Sequence, residues 1–132
     1  MSVKRVVLNG IEILTAPTTK IVNLATNANG TTTTSSTLSS PVTVAYATVG
    51  VAHNSRNNAF TTVGYVEGSK DGGSTWTTLV SASIYSSSNS KAAGTASAVV
   101  SDTYNRFRVC CNRTSTSWEF AVFAHGTVVY VE

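Results

Sequence analysis

Apolar and polar residues alternate along most of this chain with the two-residue period that a β-strand shows when one of its faces is buried. Polar stretches rich in turn-forming residues separate the strand-like runs. The runs are VKRVVL, KIVNLA, VTVAYATVGVA, FTTVGYVEG, STWTTLVSASI, YNRFRVCC and WEFAVFAHGTVVYV. No run of about ten residues combines helix formers with the 3.6-residue period of a helix. The pattern predicts an all-β chain: a single antiparallel β-sandwich, jelly-roll-like, with seven to nine strands and almost no helix.

Three polar stretches, residues 26–40, 53–59 and 85–97, are poor in apolar residues and rich in Ser, Thr, Asn and Gly. Such composition is typical of turns and irregular connections. We therefore expect loops or loosely paired edges at these positions.

The last two strand-like runs carry the densest aromatic and basic side chains. Alternation places Phe107, Val109 and Cys111 on one strand face, with Arg106 and Arg108 on the other. In the final run, one face would carry Trp118, Phe120, Val122 and Ala124, and the other Glu119, Ala121, Phe123 and His125. Because only NRTSTS separates the two runs, we expect them to pair as an antiparallel hairpin near the centre of a sheet.

Composition supports the all-β prediction and narrows the function classes. The chain has 132 residues, which suits one domain spanning 1–132, and its 18 valines against 5 leucines favour strands over helices. The net charge is +3, but no block of Lys or Arg exceeds two residues, so the basic footprint of a nucleic-acid binder is missing. No window approaches the ~20 apolar residues of a membrane span, and no secretory signal is evident. We expect a protein made in the cytoplasm, without nucleic-acid or membrane partners.

Cysteine, histidine and acidic residues are too few or too scattered to predict a chemical centre. Cys110 and Cys111 are adjacent, so they would point to opposite strand faces and not bridge each other, and His53 and His125 lie far apart without companion ligands. The chain has six acidic residues and lacks the G-x-S-x-G elbow of serine hydrolases and a phosphate-binding loop. We expect no metal, no cofactor and no catalytic residue.

The stretch EGSKDGGSTWTTL contains the pattern S-x-D-x-G-x-T-W through Ser69, Asp71, Gly73, Thr75 and Trp76. An aspartate here would accept backbone N–H bonds across a turn, the glycine would take a conformation barred to other residues, and the aromatic ring would pack beneath. The motif resembles the Asp-box of sialidases, where it repeats and lies away from the catalytic site. We expect a structural turn.

A wider resemblance is carried by the flanking segments. The chain is similar to small β-sandwich virion proteins of tailed bacteriophages, which have a strand running into an E-G-S-x-D-G-G-x-T-W turn, a later Y-x-x-x-R strand and a closing Val-rich hairpin. The matching residues are Glu67, Gly68, Ser69, Asp71, Gly72, Gly73, Thr75 and Trp76 in the turn, and Tyr104, Arg106 and Arg108 after it. The resemblance implies a capsid decoration or cement protein, or a tail-associated one, located in the virion. Its partners would be the major capsid protein or other virion subunits and further copies of itself.

The N-terminal segment, residues 1–14, is apolar and is followed by Pro17 and a polar stretch. It could be an arm that contacts a neighbouring subunit or the first strand of its own sandwich, and the pattern leaves both open. For the arm, the predicted contact residues are Val3, Val6, Leu8, Ile11 and Ile13, with Arg106, Arg108 and Phe123 as secondary contacts.

A second class of function is a carbohydrate- or surface-binding module, associated with a tail or fibre, that recognises a receptor. Exposed aromatic side chains would stack on sugar rings in such a module. The candidates are Tyr46, Tyr65, Tyr85 and Trp118.

Overall fold

The computed structural model describes residues 4–15, 17–55, 58–113 and 121–132. Within these ranges the chain forms ten β-strands and no helix. The strands are β1 (Lys4–Leu8), β2 (Ile11–Thr15), β3 (Thr19–Thr26), β4 (Thr31–Thr34), β5 (Val42–Asn54), β6 (Phe60–Ser69), β7 (Thr77–Ser86), β8 (Lys91–Tyr104), β9 (Arg106–Arg113) and β10 (Val122–Val131).

Eight of these strands form two four-stranded antiparallel sheets. Sheet I has the order β3-β10-β5-β8, and sheet II has the order β4-β9-β6-β7. Numbered from β3 onwards, the eight strands have the orders 1-8-3-6 and 2-7-4-5, which is the arrangement of two Greek keys in a jelly roll. The predicted fold class, an all-β antiparallel sandwich of jelly-roll type, is confirmed.

The core lies between the two sheets and follows the two-residue period of the sequence. Val44 of sheet I and Val66, Phe107 and Val109 of sheet II are fully buried. Gly126 shows how closely the sheets approach, because a Cβ atom added there would lie 2.5 Å from the Val66 side chain. A larger residue at this position would force the Val66 side chain or the facing sheet to move.

The faces predicted for the last two strands are correct, but the predicted hairpin between them is wrong. Phe107, Val109, Val122 and Ala124 are buried, whereas Phe123 is exposed. However, β9 pairs with β4 and β6 in sheet II, and β10 pairs with β3 and β5 in sheet I. Both strands present an apolar face to the same core from opposite sides. Alternation therefore fixes which face is buried but not which sheet a strand joins.

Two predicted loop regions contain strands at sheet edges. The stretch 26–40 includes β4, an edge of sheet II, and the stretch 85–97 contains the first half of β8, which is 14 residues long and forms an edge of sheet I. From the sequence we expect either loops or loosely paired edges at these stretches. Both strands lie at sheet edges, in agreement with the second expectation.

The N-terminal segment forms a separate two-stranded sheet of β1 and β2. Asn9 and Gly10 connect the strands with φ values of 50° and 77°, the left-handed pair typical of a type I′ hairpin turn. Register pairs Val6 with Ile13 and Leu8 with Ile11. The segment is thus a hairpin rather than one continuous strand. Its use as an arm stays a prediction.

Candidate functional site

The turn between β6 and β7 is organised by Ser69 and Asp71. Asp71 Oδ1 accepts bonds from the Ser69 hydroxyl at 2.7 Å, the Ser74 N–H at 3.0 Å and the Thr75 N–H at 2.8 Å. Asp71 Oδ2 accepts the Thr75 hydroxyl at 2.6 Å. Ser69 Oγ in turn accepts the Gly73 N–H at 2.8 Å. These bonds, led by those from Thr75, hold the pKa of Asp71 well below its usual range.

The rest of the turn motif closes the loop onto its own backbone. Gly73 has a φ of 109°, which strains any other residue, and its carbonyl accepts the Trp76 indole N–H at 3.1 Å. Trp76 is half-buried rather than fully covered. The Gly72 carbonyl accepts a bond from Arg106 at 2.9 Å. The carboxylate of Asp71 and the indole N–H of Trp76 are therefore engaged within the turn itself.

Arg106 ties three separate segments together. Its Nε donates to the Ser35 carbonyl at 3.0 Å, while its Nη1 reaches Gly72 in the turn. Ser35 also receives the Phe107 N–H on its hydroxyl at 3.0 Å. The guanidinium thus joins the long polar connection before β5 to the β6–β7 turn. Its predicted role as a contact for another protein stays a prediction.

Arg108 forms an ion pair on the outer face of sheet II. Its Nε and Nη2 each lie 2.7 Å from Oε1 of Glu67, which is buried, and its guanidinium stacks 4.3 Å from the Trp76 ring. The Cys110 thiol lies 3.7 Å from the same Glu67 oxygen. Pairing with Arg108 satisfies the carboxylate, which would be costly to bury alone. The arginine is part of the outer face's own framework, and the expectation that it contacts a partner remains to be tested.

The β1–β2 hairpin exposes apolar side chains to solvent. Leu8 is 58% exposed and Ile11 is 66% exposed, and they lie directly opposite each other beside the turn. Strand register also pairs Val6 with Ile13, two positions further from the turn. Four of the five predicted arm positions therefore lie together. Val3, the fifth, lies outside the described residues, as does Trp118.

Phe123, the predicted secondary contact, lies between two clefts at one end of sheet I. One cleft, of about 520 Å³, is mainly apolar, and its lining includes Ala52, Ala92 and Lys91. The other, of about 380 Å³, is lined largely by threonines and Asn27. An exposed aromatic ring beside hydroxyl and amide groups is an arrangement that could bind a sugar. The alternation of the final run had placed Phe123 on the strand face opposite Val122 and Ala124, and those two residues are the buried ones.

His53 is a buried polar residue whose environment the sequence did not predict. Its Nδ1 lies 2.7 Å from the Thr62 hydroxyl, its Nε2 lies 2.6 Å from the Ser86 hydroxyl, and its ring packs 4.2 Å from Phe60. Burial lowers its pKa. The two hydroxyls satisfy both ring nitrogens. A hydrolase triad needs a carboxylate on the nitrogen opposite the serine, and here that nitrogen contacts the Thr62 hydroxyl instead. The histidine links the two sheets.

The remaining metal-ligating and redox-active groups are dispersed. Within the described ranges, no group of three His, Cys, Asp or Glu side chains could hold a metal ion. Cys110 and Cys111 are both free and buried on opposite faces of β9, and burial raises the pKa of Cys111. In the described part of the chain no helix is long and apolar enough to cross a membrane.

Comparison with known proteins gives weak structural likenesses. No protein-family model matches the chain, and no curated protein matches its sequence. Similar solved structures include a chain of the T13 IBDV viral particle, at 9% identity and a TM-score of 0.47, over 90% of this chain and 37% of that one. The PBSX exported protein XepA is 17% identical, with a TM-score of 0.39, over 98% of this chain and 44% of that one.

A third similar structure is a Bacillus endospore appendage chain, from a family described as disulfide-linked pili. It is 13% identical with a TM-score of 0.35, over 87% of this chain and 88% of that one. The chain thus spans less than half the length of the IBDV and XepA chains that it resembles. Because all three TM-scores lie below 0.5, these likenesses carry no conclusion about function.

Proposed function

We propose that this protein is a non-enzymatic structural subunit of a virion, and more specifically a capsid decoration or cement protein. In this role it binds the major capsid protein and neighbouring copies of itself and stabilises the shell. The protein is made in the host cytoplasm and is incorporated into the virion. The resemblance of the turn and flanking strands to tailed-phage virion proteins supports this class.

The exposed apolar side chains of the β1–β2 hairpin are the observation that carries the proposal. Leu8 and Ile11 are more than half exposed on a hairpin that belongs to neither four-stranded sheet. When a partner removes such side chains from water, the complex is stabilised by about 25 cal/mol per Å² of apolar surface buried. A hairpin that contributes little to its own sandwich is suited to anchoring on a neighbouring subunit.

The jelly-roll topology is compatible with this role by analogy. Jelly rolls occur in viral capsid proteins and also in lectin domains and other families. The fold alone therefore does not decide between them, and the decision rests on the surfaces. The polar groups of the β6–β7 turn and the His53 cluster are engaged within the fold, which favours a binding role over a catalytic one.

A second candidate function is carbohydrate binding, favoured by Phe123 and the threonine-lined cleft beside it. Tyr46 and Tyr85 are also exposed aromatics. Under this alternative the protein would be part of a tail or fibre that recognises a receptor glycan.

Mass spectrometry of purified virions, combined with the genome neighbourhood of the coding sequence, tests the first proposal. We expect the protein among the particle proteins at a copy number comparable to that of a capsid subunit. Absence from particles would reject a virion role. Retention of the pure protein on a glycan column, with elution by free sugar, would instead support the carbohydrate-binding alternative.

A further inference from the structure

An apolar row crosses the outer face of sheet I from one edge strand to the other. Strand register places one residue from each strand directly opposite the next along this row. In the order β3, β10, β5 and β8 these residues are Ile21, Val129, Tyr46 and Val99.

The row is contiguous and largely exposed. Ile21 is 60% exposed, Tyr46 is 44% exposed and Val99 is 86% exposed, while Val129 between the first two is nearly covered. Directly opposed side chains in a sheet have Cβ atoms about 5 Å apart, so the four form one patch rather than isolated residues. Single exposed apolar residues are common on protein surfaces, but contiguous ones indicate a binding surface.

The residues flanking the row are uncharged. On one side the next positions across the four strands are Asn23, Thr127, Thr48 and Ser97. On the other side, beyond a register shift in β5, the paired positions are Thr19, Val131, Thr43 and Thr103. Asp102 of β8 lies beside this second row, opposite the buried Val44, and pairs with Lys70 of the β6–β7 turn. The outer face of sheet II, by contrast, carries the Glu67–Arg108 ion pair. A partner can therefore cover the row at the centre of sheet I without desolvating a charge, and burying an unpaired charge would be costly.

The size of this face matches what a stable dimer requires. Four strands spaced about 4.8 Å apart, each about ten residues long at 3.4 Å per residue, cover roughly 650 Å². Two such faces in contact would bury about 1,300 Å², within the usual range of specific protein interfaces. The face is also self-complementary. A two-fold axis parallel to the strands sets Ile21 of one copy against Val99 of the other, and Tyr46 against Val129.

We infer that two copies of this chain pack their sheet I outer faces against each other through this row. Two sheets in such a dimer would lie about 10 Å apart, as in aligned sheet packing within a sandwich. The inference extends the proposed structural role and rests on it for its biological meaning, because it names a second copy as a partner and sheet I as the surface.

Sedimentation equilibrium of the purified full-length chain tests this inference and requires no virus particles. Its result therefore does not depend on whether the protein binds particles. We expect a monomer–dimer equilibrium for the wild type. The Val99→Lys variant should weaken the dimer at least tenfold, because it places an unpaired charge in the contact. Since Val99 is 86% exposed, the variant should keep the wild-type circular dichroism spectrum. Ile21→Lys, on the opposite edge strand, should have the same effect.

Tyr85→Lys is the matched control, because Tyr85 is 66% exposed on β7 of sheet II. It should dimerise like the wild type. A wild type that remains monomeric at about 200 μM, a concentration at which a dimer with a micromolar Kd would be populated, would overturn the inference. So would folded Val99→Lys and Ile21→Lys variants that dimerise normally. Loss of the dimer on deletion of residues 1–14, without an effect of Val99→Lys, would identify the hairpin as the contact and also reject sheet I.

Discussion

At the residue scale, Asp71 and His53 are polar side chains whose hydrogen bonds fix local structure and respond to pH. Asp71 is exposed but accepts four hydrogen bonds within the β6–β7 turn. His53 is buried between the sheets and is bonded through both ring nitrogens. The pKa of each group is lowered in the folded chain, so each links folding stability to proton binding in its own pH range.

Replacing Asp71 with Asn should lower the thermal midpoint at neutral pH, because the amide cannot accept all the bonds that the carboxylate accepts. The folded pKa lies below the unfolded value of 3.8, so the unfolded chain binds more protons in acid. The stabilisation is present above that value and is lost as pH falls through and below it. The gap between wild type and Asp71→Asn, measured by thermal unfolding, should therefore shrink between about pH 7 and pH 2.

Ser74→Ala is the control for this comparison, because it keeps the backbone N–H that donates to Asp71. It should unfold like the wild type at both pH values. A gap between wild type and Asp71→Asn that stays constant down to the lowest pH would show that the ionised carboxylate does not stabilise the turn.

His53 should make the chain less stable as pH falls below 6.5. Burial lowers its folded pKa from the model-peptide value of 6.5, so the unfolded state binds the proton more readily. Stability is complete above 6.5 and declines as pH falls towards the folded pKa. Urea unfolding between about pH 8 and pH 5 should show this decline in the wild type and a flatter profile in His53→Gln.

The exposed histidine, His125, provides the control. His125→Gln should retain the wild-type pH dependence of stability. If His53→Gln and the wild type lost stability in parallel over this range, another group would have to account for the effect.

At the element scale, the sequence predicts buried faces well and strand partners poorly. Alternation grouped the core positions of β9 and of β10 correctly on one face of each strand, because successive side chains in a strand point to opposite faces. It could not assign these strands to separate sheets, since pairing in a jelly roll depends on contacts distant in sequence. The first half of β8 falls in the stretch 85–97, where a loop or a loosely paired edge was expected. This half contains mainly Ala, Gly, Ser and Thr, and pairing with β5 outweighs that weak strand propensity.

The sequence contains a hairpin signal for β1 and β2 that the alternation of apolar and polar residues does not reveal. Asn9 and Gly10 form the dipeptide preferred in two-residue hairpin turns, and apolar residues flank it on both sides. The cross-strand row on sheet I had no comparable signal. Ile21, Tyr46 and Val99 are far apart in sequence and become neighbours only through the register of three strand pairs.

Deleting residues 1–14 should leave a folded sandwich. The deletion removes β1 and most of β2, which pair with each other and belong to neither four-stranded sheet. We expect a cooperative thermal transition and a strand-type circular dichroism spectrum close to those of the full-length chain. The truncated protein should no longer bind particles. An unfolded truncation would mean that the hairpin supports the sandwich and that anchoring surfaces must lie elsewhere.

At the scale of the whole molecule, the charged and polar groups described above serve the fold, while several apolar groups face outwards. The β6–β7 turn, the Glu67–Arg108 pair and the His53 cluster are satisfied internally. The hairpin and the outer face of sheet I expose apolar side chains over two separate regions. With two such regions, one subunit could contact a capsid protein and a second copy at the same time, as a decoration protein requires.

Cosedimentation with virus particles that lack this protein tests the account most directly. Purified chain is added in increasing amounts, the particles are pelleted through about 1 M NaCl, and bound copies are counted by quantitative mass spectrometry. At that ionic strength charge interactions are screened within about 3 Å, whereas apolar contacts persist. We predict saturation at a fixed ratio to the capsid subunit, retained in high salt. Binding that never saturates, or that is lost in the salt wash, would contradict a decoration protein held by apolar surfaces.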